Sequence, residues 1–221
     1  MSRLIQVTVG PLAAASANNV ALSQTPLAAG NLTLNGALVV GGVALLDLPR
    51  RIIITSAGND STVTFTAYGT DFSGQALQAS VKGANIGAAD FGVSFSTVTR
   101  IATSAATAAA ITVGTNTVAD SRPIQLDRFG FAPTSLQVTV TGTVSYTVQS
   151  TLDDVNGLQG FGVPLGLANI TWVNSSDTAV VAASATAQSN FAFVPNMCRI
   201  VLNSGTGSVT LTVLQAASPS I

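Results

Sequence analysis

Apolar residues alternate with hydroxyl and amide residues over much of the chain. The pattern is clearest at residues 63–66, 136–140, 144–148 and 209–213, where an apolar side chain takes every second position. A period of two sends successive side chains to opposite faces of a strand, and β-branched valine and threonine suit that conformation. The pattern therefore predicts half-buried antiparallel β strands and an all-β fold.

A strand–turn–strand motif recurs in the chain. It begins at Arg51 and Arg199, with a fainter copy at Arg100, and residues 136–148 form a further unit of this kind. We interpret the four units as β-hairpins, which must pack in layers to bury their apolar faces. The expected fold is two antiparallel β-sandwich domains, jelly-roll-like and built from hairpins. A parallel β-helix is the alternative fold. It needs repeats at a steady short period, whereas the repeats that begin at Arg51, Arg100 and Arg199 are unequally spaced.

Turn residues and a proline at residues 120–123 mark the expected domain boundary. We expect an N-terminal domain over residues 1–121 and a C-terminal domain over residues 122–221, each of a size usual for a β-sandwich. Residues 153–167 form a long glycine-rich segment of the kind that contacts a partner or an ion. The alanine-rich stretches 105–110 and 179–187 are expected to be strand or loop, with a short helix as the alternative.

Charge is scarce, which limits the possible partners. Only 8% of the residues are charged, His and Glu are absent, and Lys82 is the one lysine, whereas soluble domains have roughly 25% charged residues. The formal net charge is −1 and the basic residues are scattered, so we expect no sequence-specific binding of nucleic acid. A weakly charged surface favours association, and we expect a homo-oligomer or a subunit of an assembly.

The mean hydropathy of +0.51 raises the question of a membrane. The longest apolar run, residues 36–46, contains three glycines and is about half the ~20 residues that a membrane-spanning helix needs. The N-terminal residues lack the apolar core of a signal peptide, and a single Cys198 cannot form a disulfide framework within one chain. We therefore expect no membrane association and synthesis in the cytoplasm.

The sequence offers no set of residues suited to catalysis. Without histidine there is no imidazole base for a serine or cysteine nucleophile, and no zinc site with one cysteine. Asp60 and Asp177 lack the glycine of an aspartic-protease turn, and Lys82 is expected to charge a strand end. Asp153 and Asp154, with Asn156 and Gly157, could bind Ca²⁺, but no glutamate completes a calcium loop, so a solvated loop is favoured. We expect no catalytic, cofactor-binding or metal-binding residue.

Two further residue types invite a functional reading. The arginines that begin the three repeats, Arg51, Arg100 and Arg199, could hold carboxylates of a neighbouring subunit, although protection of strand ends is favoured. Trp172 lies in an alternating segment, and burial in a core or an interface is favoured over ligand binding.

Four segments together resemble structural proteins of tailed bacteriophages: residues 51–68, 111–116, 138–154 and 203–215. The resemblance implies a non-enzymatic virion component with the major capsid protein as partner. Small β-sandwich and jelly-roll proteins of such particles commonly decorate or cement the capsid, and others build the neck or tail. The resemblance assigns no functional residue to this chain. A carbohydrate- or receptor-binding β module remains the alternative from another functional class.

Overall fold

A computed structural model of the chain describes residues 3–127, 134–153, 166 and 169–215. These residues form sixteen β strands and a short 3-10 turn at Thr178–Val180. In chain order the strands are β1 (Arg3–Val9), β2 (Ser16–Gln24), β3 (Gly30–Asn31), β4 (Val39–Val40), β5 (Val43–Asn59), β6 (Thr64–Thr70), β7 (Ala76–Lys82), β8 (Asn85–Thr103), β9 (Ile111–Asp120), β10 (Ile124–Gln125), β11 (Thr134–Thr141), β12 (Val144–Thr151), β13 (Val173–Asn174), β14 (Ala187–Phe191), β15 (Met197–Gly205) and β16 (Ser208–Gln215). The all-β fold predicted from the alternation is confirmed.

The chain divides into two compact units. One comprises Met1–Leu12 together with Val118–Ile221, and the other is the continuous segment Ala13–Thr117, which we call the inserted unit. The division expected at residue 121 therefore differs at the N-terminus, because β1 pairs along its whole length with β16. Turn residues in a sequence do not reveal that the first strand pairs with the last one.

The discontinuous unit is a jelly roll. Its strands form two antiparallel sheets, one in the order β1-β16-β11-β14 and the other containing β13-β12-β15, with β10 paired to β15. In chain order the described strands of this unit are β1 followed by β10 to β16. The outermost two strands in this order pair with each other, β1 with β16, and the pairing continues inward with β10/β15, β11/β14 and β12/β13. That pairing is a long antiparallel hairpin wrapped into two sheets, as in a jelly roll.

The core of the jelly-roll unit lies between its two sheets. Val138 and Leu211 from one sheet pack in the same apolar cluster as Tyr146 and Ile200 from the other. The hydroxyl of Tyr146 donates a hydrogen bond to the carbonyl oxygen of Ala185 at 2.8 Å, so its polar atom is satisfied inside the core. The alternation along β11, β12 and β16 thus selects the inward-facing side chains.

The inserted unit is an antiparallel sheet built around two long strands. Its strands follow the order β9-β5-β8-β6-β7, while β2, β3 and β4 pair with β9, β8 and β5. The register between β5 and β8 shifts at three places, and such bulges bend and twist long strands. Ile52, Ile54, Phe65 and Phe95 are fully buried in this unit.

None of the four predicted hairpins pairs its own two strands. β8 lies between β5 and β6, β5 lies between β8 and β9, and the pairs β11/β12 and β15/β16 are divided between the two sheets of the jelly roll. The observed hairpins are elsewhere, at β6/β7 and β4/β5. A turn signal specifies that the chain reverses direction, but it does not specify the sheet that the next strand joins.

The apolar run at residues 36–46 forms the β4/β5 hairpin. Gly41 and Gly42 both have positive φ angles, of 59° and 83°, as a tight two-residue hairpin turn requires. Among the described residues, no helix is long and apolar enough to cross a membrane. The alanine-rich stretch 105–110 is loop, as expected, and in the second one the 3-10 turn is followed by loop until β14 begins.

A buried arginine joins the two ends of the inserted unit. Arg50 is 1% exposed. Its Nη1 donates to the carbonyl oxygen of Ala13 (2.9 Å) and to the carboxylate of Asp47 (3.0 Å), and its Nη2 donates to the carbonyl oxygen of Asn116. The carboxylate of Asp47 also accepts the backbone N–H of Ala13 at 2.7 Å. We call this arrangement the Arg50 clamp.

Arg50→Ala is expected to lower the free energy of unfolding by about 3–5 kcal/mol, because it leaves the carboxylate of Asp47 without its balancing cation and two carbonyl groups without their donor. Arg100→Ala is the control, since Arg100 is exposed and only covers the Tyr68 ring at 3.7 Å, an interaction of about 0.5–1 kcal/mol. Urea unfolding of both variants measures the difference. Equal losses in the two variants would contradict the clamp.

The Arg50 clamp also predicts that the stability of the fold depends on pH. Burial alone would raise the pKa of Asp47, but the hydrogen bonds from Ala13 and Arg50 and the guanidinium charge outweigh it, so this pKa lies below its ordinary value of 3.8. A carboxyl group with a lowered pKa stabilises the fold above its unfolded pKa, and that contribution is lost as the pH falls through the folded pKa. Stability should therefore fall below about pH 4, and less steeply in Asp47→Asn. Parallel acid profiles for the two proteins would argue against this role.

Close backbone packing gives a further prediction. A Cβ atom at Gly114 on β9 would overlap the carbonyl oxygen of Ser16 on β2, whereas one at Gly30 would meet open space. Gly114→Ala is expected to destabilise the protein by about 1–3 kcal/mol, and Gly30→Ala to change stability by less than about 0.5 kcal/mol. Thermal unfolding of the two variants checks the difference, and an unaffected Gly114→Ala would show that β2 can move aside.

Candidate functional site

A cavity of about 330 Å³ opens at one end of the jelly-roll unit. Its wall includes Phe191 at the end of β14, Phe193 just beyond it, Leu152 after β12 and Val173 on β13. Three of these are unusually exposed for apolar residues: Leu152 by 71%, Val173 by 60% and Phe193 by 52%. Exposed apolar side chains around a concave surface are typical of a binding site.

The polar part of the cavity is contributed by the segments that flank β12 and β13. Asp153, Thr171 and Asn174 line it. One carboxylate oxygen of Asp153 accepts the backbone N–H of Thr171 at 2.5 Å, and the Asn174 side-chain oxygen accepts a hydrogen bond from Gln149 at 2.9 Å. The site therefore combines an apolar wall with one carboxylate and neutral polar groups, a composition that suits a ligand with both apolar and polar parts.

Trp172 lies in sequence between two residues that line the cavity, Thr171 and Val173, and its ring contacts Arg199. The Arg199 guanidinium lies over the indole ring, 4.3 Å from its centre, donates to Gln149 at 2.9 Å and pairs with Asp120 at 3.2 Å. The indole Nε1 is buried, and no acceptor for it is found among the described residues. Trp172 does not line the cavity. Its half-buried ring packs on a cation, so the residue is neither fully buried in a core nor part of the candidate binding site.

The outer face of the four-stranded sheet carries no charged side chain at its described positions. Thr8 pairs with Thr210 through their hydroxyls at 2.8 Å, and the amide of Gln6 donates to Thr212 at 2.9 Å. The exposed positions of this face continue onto the neighbouring strands with Ser135, Gln137, Thr139, Gln188 and Asn190. At one end the same face also exposes Leu4 and Leu214. We call this surface the polar face.

The arginines that begin the sequence repeats occupy different positions from those expected. Arg51, Arg100 and Arg199 lie inside β5, β8 and β15 rather than at their ends. Strand-end protection, the favoured reading, is therefore wrong for them. Lys82 does lie at a strand end, as the last residue of the edge strand β7. Charged residues at such positions discourage uncontrolled pairing of the edge.

The aspartates considered for catalysis have structural contacts. In the inserted unit, buried Asp60 accepts the N–H of Ala108 at 2.7 Å. In the jelly-roll unit, Asp177 caps the 3-10 turn by accepting the N–H of Ala179 at 2.9 Å. The candidate calcium loop cannot be assigned, because Asp154, Asn156 and Gly157 lie outside the described residues, as does most of the 153–167 segment. Within the described part of the chain, no group of three or more acidic or Cys side chains is placed to hold a metal ion.

The residue pattern of the chain does not reveal the cavity. Phe191 and Phe193 are two residues apart, a spacing that predicts one shared face, but the pattern does not show that Phe191 is buried and Phe193 is 52% exposed. Leu152 and Val173 are distant in sequence and are brought together by the pairing of β12 with β13. Only the three-dimensional strand order reveals this surface.

Comparisons with protein-family models, with curated protein sequences and with solved structures find no match to this chain.

The single cysteine provides a test of core integrity. Cys198 is fully buried in the jelly-roll core, and burial raises the pKa of its thiol from 9.0 to about 12. The thiolate is the reactive form, so we expect an aromatic disulfide reagent to modify the folded protein about three orders of magnitude more slowly than the unfolded chain. Labelling followed through a urea titration should coincide with unfolding. Rapid labelling of the folded protein would contradict this packing.

Proposed function

We propose that the chain is a non-enzymatic structural protein of a tailed-bacteriophage virion, where it acts as a capsid decoration or cement protein. The observation that carries the proposal is the strand pairing of the jelly-roll unit. Jelly rolls recur in viral capsid domains and in lectins. A fold alone permits several functions, so the surfaces of the unit and the resemblance to virion proteins supply the remaining support.

The polar face supports a role in subunit contacts. Interface centres are depleted in charged residues, and a surface of threonine and glutamine exposes no ion that a contact would have to desolvate. Its side chains already hydrogen-bond to each other along the strands, as Thr8 does to Thr210, so few rotamers remain to be fixed on association. In this proposal the partners are the major capsid protein and further copies of the chain, and the protein reaches the virion after synthesis in the host cytoplasm.

Two alternatives share this support in part. A neck or tail component would use the same surfaces in a ring rather than across the capsid shell. A carbohydrate- or receptor-binding β module is favoured by the cavity, where Phe193 offers an aromatic face beside the carboxylate of Asp153 and the amide of Asn174. Pockets that combine apolar walls with a few polar groups are typical of small-molecule sites.

The copy number per purified particle tests the proposal. We expect quantitative mass spectrometry to find a number of chains comparable to that of the major capsid protein, because a cement protein binds at repeated sites across the shell. Particles lacking the chain should also open at a lower temperature, since binding stabilises only the assembled shell.

Other copy numbers have distinct meanings. A number corresponding to one or a few rings would overturn the decoration role in favour of the neck or tail. Absence from purified particles would overturn the virion proposal, and a glycan array probed with the purified chain would then test the binding-module alternative.

A further inference from the structure

Ile86 is an exception to backbone preferences. It lies near the start of β8, where its φ is +54°, a region that β-branched side chains seldom adopt and that glycine or asparagine accepts more readily. Its side chain is also 73% exposed. In a single copy of the chain, isoleucine at this position therefore neither relaxes the backbone nor buries apolar surface. Residues held in such strained conformations are concentrated at functional sites.

A cation accompanies this exposed side chain. Lys82, the only lysine of the chain, ends β7 four residues earlier and is exposed. The turn between β7 and β8 therefore presents a branched apolar side chain and an ammonium group on one short segment. We call residues 82–86 the Ile86 knob.

The cavity of the jelly-roll unit has the complementary character. Its volume of about 330 Å³ is ample for one branched aliphatic side chain, given that an apolar cavity of about 150 Å³ binds benzene. Phe193, Leu152 and Val173 supply an apolar rim. The adjacent carboxylate of Asp153 forms a hydrogen bond with the Thr171 N–H and has no cationic partner among the described residues.

We propose that the Ile86 knob of one copy of this chain inserts into the cavity of a second copy, with Lys82 of the first copy facing Asp153 of the second. The contact is heterologous: it joins different surfaces of two identical chains and can repeat around a ring or along an array. Size, apolar character and charge are complementary on the two sides. This inference concerns the purified chain and does not depend on the virion.

The decisive variant is Ile86→Asn. Asparagine tolerates positive φ, so the substitution removes the apolar side chain while relaxing the backbone. We expect the dissociation constant for self-association to rise at least about tenfold, as for loss of an interface anchor, while the unfolding temperature of the monomer stays the same or rises. Analytical ultracentrifugation and thermal unfolding measure the two effects. A merely structural role for Ile86 would not give this combination.

Matched variants extend the test. Phe193→Ser should weaken association similarly, whereas Leu27→Asn, at an apolar side chain that is 87% exposed and outside the proposed contact, should leave it unchanged. Lys82→Asp and Asp153→Lys should each weaken association, and the double variant should restore it.

A crosslink locates the contact directly. Ile86→Cys and Phe193→Cys chains, mixed and oxidised, should form a disulfide-linked dimer containing one chain of each kind, and the buried Cys198 should stay out of the reaction. The proposal is overturned if the wild-type chain stays monomeric at high concentration, or if Ile86→Asn associates as well as wild type. A foreign protein or small molecule occupying the cavity of a monomeric chain would give the first of these results.

Discussion

The fold depends on the buried guanidinium of Arg50. The chain leaves the jelly-roll unit after β1 and returns to it within β9, more than a hundred residues later. Because one side chain binds the carbonyl groups of both Ala13 and Asn116, the two ends of the inserted unit are held side by side. Insertions are tolerated where chain ends lie close together. β1 can therefore pair with β16, and the end of β9 with β15, as in an uninterrupted jelly roll.

Arginine meets this requirement better than an apolar residue of similar size. Backbone carbonyl groups that leave their strands inside a protein need donors, and a guanidinium offers several donors in a fixed planar arrangement. Asp47 supplies the balancing charge and also binds the N–H of Ala13. The clamp is nevertheless incomplete, because the Nε of Arg50 is buried without an acceptor in the described structure. The two terminal nitrogens, Nη1 and Nη2, therefore make the contacts that hold the two chain ends.

The sequence predicts the strands well and their partners poorly. Alternation identifies β6, β11, β12 and β16, because each has one face in a core. The repeated motif draws attention to Arg51, yet Arg50 is the buried one. The sequence does not distinguish the two arginines, because three consecutive isoleucines follow them; only the structure shows that residues 50, 52, 54 and 56 share the buried face of β5. Strand order, by contrast, is decided by contacts between distant segments, so the long β1/β16 pairing leaves no local signal.

Because the chain has few charges, its candidate site consists of a cavity with apolar side chains rather than of ion pairs. A chain with 8% charged residues has few ion pairs with which to fix the register of a subunit contact. A surface made mostly of uncharged hydroxyl and amide side chains, such as the polar face, carries no charges that would select one alignment. In the proposed contact, the strained and exposed Ile86 side chain enters a cavity bordered by exposed apolar residues, and few orientations of the two copies allow this. Since burial of apolar surface drives association while shape excludes alternatives, such a pair of features can provide the alignment that charges provide in other assemblies.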